Sequence, residues 1–149
     1  MLLAAYDDTG FKVVLLLHIL AVVVAFGPLF FIPLLARTSD RDAGTSTLLY
    51  LQRFATPAIV LAGFFGMAMI GMSSDYYKFS QSWVSIAFAV WIIQVALFIF
   101  GMLPSQRKAA AGDAVAAKRL PMFTGIIHLS FLVMLYLMIW RPGAPHPFG

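Results

Sequence analysis

The sequence predicts an all-α fold, an integral membrane four-helix bundle, and three observations predict it. First, the chain is 62% hydrophobic and 11% charged over 149 residues, against roughly 45–50% apolar and about 25% charged usage in soluble domains. Its mean hydropathy is +0.92. Second, four apolar stretches, near residues 11–36, 48–72, 82–103 and 121–140, reach the length of about 20 residues that a helix needs to cross the hydrocarbon. Third, the segments between them are polar and hold most of the lysine and arginine. Residues 1–149 therefore form a single four-span membrane domain, whose core comes from packing spans against one another rather than from removing apolar surface from water.

The first span carries HILAVVVAFGPLFFIP at 18–33, an apolar run with a histidine at one end and two prolines towards the other. The acids in MLLAAYDDTG and the length of the apolar run favour an uncleaved span over a signal peptide, which has a basic start and a hydrophobic region of about 7–15 residues. Pro28 follows Gly27 and frees the carbonyl of Val24, so a bend is expected there. Pro33 shapes the end of the same span. A 26-residue span is about 39 Å long, more than the roughly 30 Å core, and bending or tilting absorbs the excess. In the second span Ala58, Ala62 and Gly66 recur every four residues, so one helix face has no bulk and a second backbone can approach it closely. That partner is another span, a second protomer or a larger membrane complex. The third span has Gln94 near its middle, and the fourth carries Thr124, His128 and Ser130; such groups hydrogen-bond between helices. The connections are RTSDRDAGTST (37–47), SSDYYKFSQ (73–81) and the alanine-rich PSQRKAAAGDAVAAKR (104–119), the last open to being partly helical at the membrane surface.

Topology follows from the positive charges. Arg37, Arg41, Arg53, Arg107, Lys108, Lys118 and Arg119 belong to the side of the first and third connections, against Lys12, Lys78 and Arg141 on the other. Seven against three places both termini outside a cell membrane, with 37–47 and 104–119 cytoplasmic. Tyr76, Tyr77, Trp83 and Trp140 then form an outer aromatic belt. The net charge of +4 records this topology, and no nucleic-acid partner is expected.

With no cysteine, the chain has no disulfide, thiolate metal site or iron–sulfur cluster. No glycine-rich phosphate loop and no H-E-x-x-H occurs, and the spans contain no carboxylate for a proton or cation relay. The methionines Met67, Met69, Met72, Met134 and Met138 suit Cu(I) in principle, but read as packing filler. His18 lies about 10 Å below the outer surface and His128 a similar depth from the inner one, so the two imidazoles differ in depth by roughly 10 Å. A single metal ion, with bonds of about 2 Å, does not join them. Each remains open to two readings, a neutral histidine bonded to a neighbouring span or an axial ligand of a haem.

His18 with FGPLFFIP (26–33), RFATPAIVLAGFFG (53–66), QSWVSIAF (81–88) and WRP (140–142) resemble the four-helix membrane superfamily of HemJ-type protoporphyrinogen oxidases and CopD-like copper-resistance proteins. The resemblance covers most of the chain. It implies a haem-linked redox setting, with haem b or a porphyrin as cofactor and His18 matching the family's functional histidine. The family's lysine shortly after the third-span tryptophan has no counterpart, since Ala87 and its neighbours stand there, and Leu34 replaces the arginine after the first-span LP pattern. No catalytic residue is therefore assigned. The expected function is a multi-pass membrane protein binding haem or porphyrin through His18, with a non-catalytic accessory subunit and a protoporphyrinogen oxidase-like enzyme as the alternatives.

Overall fold

The computed structural model describes residues 8–30, 41–74 and 76–144, and of 41–49 and Gln52 the backbone alone. These residues form α1 (Thr9–Phe30), α2 (Arg41–Met72), α3 (Ser82–Ala96), a π-helical segment (Leu97–Met102), α4 (Leu103–Ala110) and α5 (Ala114–Trp140). No strand occurs among them. Four helical stretches are long and apolar enough to cross a membrane, namely Thr9–Phe30, Arg53–Met72, Ser82–Ala110 and Ala114–Trp140. The chain is a multi-pass membrane protein.

The packing agrees with a lipid surround. Large apolar side chains face outward on every span, among them Val23 at 60% exposure, Phe64 at 56%, Ile93 at 55% and Leu129 at 65%. In water such a surface drives association, whereas acyl chains solvate it. The interior has two layers. Towards one end, Ala25, Phe26 and Leu29 of α1, Ala55, Ala58 and Ile59 of α2, Phe98 and Met102 of the π-segment, and Ile127 of α5 form one buried cluster. Phe26 ties it together, stacked on Phe131 at 4.5 Å between ring centroids and edge-on to Phe98 at 6.0 Å. At the other end, Phe11, Tyr77, Trp83, Val84, Ala87 and Leu137 pack with the flexible side chains of Met69, Met72, Met134 and Met138 around them. The Arg141 guanidinium lies 5.2 Å from the Tyr77 ring centre and closes that end.

Several boundaries differ from the sequence expectation. The third connection is three residues, 111–113, rather than 104–119, because both flanks continue as helix. The alanines on either side are the strongest helix formers, and the chain reverses on two specific residues. Gly112 takes φ +91, a left-handed conformation that is unstrained in glycine. Its amide bonds the Ala109 carbonyl and the Asp113 amide bonds that of Lys108, the paired bonds of a Schellman ending. Asp113 then caps α5, its Oδ1 accepting from the amides of Val115 at 2.9 Å and Ala116 at 3.0 Å. Helix α2 likewise begins at Arg41, inside the stretch expected as a loop. Pro28 and Pro57 sit within α1 and α2, while Pro33 lies outside the described residues.

Candidate functional site

The site begins with the ring of His18. One turn of α2 meets it from two positions, Ala62 and Gly66. His18 Nδ1 lies 2.8 Å from the Ala62 carbonyl oxygen. That oxygen can only accept, so Nδ1 carries the proton and donates it. In the neutral imidazole the lone pair is then on Nε2.

The local sequence explains why a helical carbonyl is available. A residue's side chain covers the turn on the N-terminal side of its own Cα, so a side chain longer than alanine at position 66 would screen the Ala62 carbonyl. Gly66 has none, and a Cβ there would lie 3.5 Å from His18 Cε1, in van der Waals contact. Ala58 and Ala62, the other members of the small strip, are 6% and 5% exposed. Ala58 lies in the same buried cluster as Ala25 and Leu29 of α1. The three small residues and His18 are thus brought together along the α1–α2 contact, while Pro28 stands well along α1 towards its far end.

The same device occurs on the adjacent face of α2. Trp91 Nε1 donates to the Ile59 carbonyl at 2.8 Å, and four residues on, at Gly63, a Cβ would lie only 2.0 Å from Trp91 Cε2. The indole occupies the space of the missing side chain. Two glycines three positions apart, Gly63 and Gly66, therefore each accept a nitrogen-bearing ring from a different neighbouring span.

Among Gln94, Thr124, His128 and Ser130, one pair joins two helices, while the others bond within their own helix or have no partner. Gln94, buried in α3, donates from Nε2 to Ser130 Oγ of α5 at 3.1 Å, and Ser130 donates to the Ile127 carbonyl at 2.8 Å. His128 Nδ1 is 2.9 Å from the Thr124 carbonyl of its own helix, and its ring lies 4.8 Å from that of Phe30. Among the described residues, His128 Nε2 and Thr124 Oγ1 are buried with no hydrogen-bond partner. Phe30 is twelve residues beyond His18 on α1, about 18 Å along the helix axis, so the two histidines belong to separate layers. No three His, Cys, Asp or Glu side chains converge on a common point among the described residues.

No family model, curated protein or solved structure matches this chain.

Proposed function

We propose that this membrane protein binds haem b or a related porphyrin, with His18 Nε2 as axial ligand. The bond from His18 Nδ1 to the Ala62 carbonyl carries the reading. Metal-binding imidazoles characteristically donate their second nitrogen to a carbonyl or carboxylate, which fixes the tautomer and strengthens the ligand. An imidazole with no convergent acidic or thiolate partners among the described residues suits a metal already held by a macrocycle better than a bare ion. Such a group supplies one-electron chemistry when bound. The chain's own part is to aim and brace the imidazole through Ala62, with the ring packed against the backbone at Gly66. The resemblance to the HemJ and CopD superfamily points the same way.

The test is an absorption spectrum of protein purified in detergent after expression with haem supplied. A Soret band is expected, lost in His18→Ala, restored by free imidazole, and kept in His128→Ala. Colourless wild-type protein refutes the reading.

A second reading takes the same bond as a helix latch and the protein as an accessory subunit of a larger membrane complex. The small strip supports the latch, being buried in the chain's own α1–α2 contact, and leaves the exposed apolar faces of the spans to meet a partner. Mild-detergent extraction should then retain partners in fixed stoichiometry, and a lone monodisperse species counts against it. In either reading we place the protein in the cell membrane with both termini outside, on the lysine and arginine distribution.

A further inference from the structure

At the end of the bundle away from Tyr77 and Trp83, the hairpin between α4 and α5 lines an open cavity of about 220 Å³. Its lining is aromatic at Phe100 and Phe123, the latter packed against Gly101, and charged at Lys108, Arg119 and Asp113. We propose that this cavity binds the headgroup of an anionic phospholipid, with the phosphate between Lys108 and Arg119 and an acyl chain running along Phe100.

Charge, shape and position each support this occupant. The single carboxylate, Asp113, accepts from two backbone amides through Oδ1 and offsets part of the positive charge of Lys108 and Arg119. The two cations exceed it, so the charged part of the lining favours an anion. The aromatic part is just as specific. Phe100 is 80% exposed, the highest of the large apolar side chains, and it stands on the π-helical segment, where an extra residue per turn shifts the register of the face. Gly101 admits the neighbouring ring, because a Cβ there would lie 2.7 Å from Phe123 Cε1. Ser105 Oγ donates to the Gly101 carbonyl at 2.7 Å, supplying a partner to a carbonyl in the irregular turn. Phe100 precedes Lys108 by eight residues, about 12 Å along the axis. A cationic head site above an exposed aromatic flank matches an amphiphile at the membrane interface, whereas a soluble anion would use the cations alone. The volume suits a phosphate with its glycerol and leaves the chains outside.

The experiment is native mass spectrometry of the full chain in mild detergent. Phosphatidylglycerol and phosphatidylcholine with identical acyl chains are added in turn. One phosphatidylglycerol per chain should be retained, with about tenfold preference over phosphatidylcholine. Lys108→Ala with Arg119→Ala should reduce retention to the phosphatidylcholine level. Arg107→Ala with Lys118→Ala removes the same charge from residues that do not line the cavity and should leave retention unchanged. Phe100→Ala should weaken retention of both lipids. Equal retention of the two lipids by the wild-type chain overturns the proposal without reference to any variant, and so does equal loss in the two double variants. Displacement by millimolar inorganic phosphate, with Phe100→Ala silent, would show a site for a free anion instead.

Discussion

At the scale of single residues, the two glycines of α2 differ in a way that mutation separates. Gly63→Ala would place a Cβ 2.0 Å from Trp91 Cε2, so the indole must leave its seat and lose its bond to the Ile59 carbonyl. Overpacking of this kind typically costs about 1–3 kcal/mol. Gly66→Ala meets only an ordinary contact, 3.5 Å from His18, and should fall well below that. Unfolding in a graded detergent titration, followed by helical circular dichroism, checks both; similar losses at the two positions would contradict the cradle at Gly63. The Gln94–Ser130 bond joins α3 to α5 in the interior. A double-mutant cycle of Gln94→Leu with Ser130→Ala should give a coupling of about 0.6 kcal/mol, and no more than about 1.7, the range of interhelical hydrogen bonds in membranes. The small strip, His18 and Gln94 were all visible in the sequence, because polar and small residues stand out in an apolar run. Trp91 was not, since a tryptophan inside such a run looks like bulk. Only Gly63, at four residues from Ile59, hinted at a seat for it, and the identity of the ring that fills a glycine gap depends on tertiary placement.

At the scale of elements, the hairpin between α4 and α5 is governed by Asp113. Its carboxyl is held below the usual aspartate range, first by the bond from the Ala116 amide, then by that from Val115 and by the nearby Lys108 and Arg119. A carboxyl whose pKa is lower folded than unfolded stabilises the fold at pH above the unfolded value of about 3.9. That contribution is lost as the pH falls through the lower, folded value. The Val115 and Ala116 amide resonances should therefore titrate with a midpoint below that of a free aspartate. Asp113→Asn should keep the cap and abolish the titration, whereas Asp113→Ala should lose the cap at every pH; a midpoint in the ordinary range would remove Asp113 from this role. Charge marks 104–119 as a connection and its alanines allow part of it to be helical, but neither shows that the non-helical part is only 111–113. The Gly112–Asp113 pair carried that signal, a helix stop followed directly by a helix start. The π-segment had no such signal, because its hydrogen-bond register leaves no mark on an apolar sequence like LFIFGM.

For the whole molecule, the question is which ends of the spans share a side of the membrane. Four spans place the start of α2 and the α4–α5 hairpin at the same end of the bundle, and the 73–81 connection at the other. Composition alone made the number of spans legible, but not the depth at which each helix leaves the lipid, since α2 and α5 continue as helix through polar residues. Because the chain has no cysteine, single substitutions label one site each without background removal. Ser46→Cys and Ala111→Cys should be protected in intact cells from a reagent that does not cross the membrane, and should react after permeabilisation. Ser74→Cys should react from outside without it. The charge asymmetry of seven against three predicts that sense. The reverse pattern at all three sites would keep the four-span bundle and invert it, placing Lys108 and Arg119 at the outer leaflet. Labelling of Ser46→Cys and Ala111→Cys from opposite faces would be a different result, since no bundle with four crossings allows it.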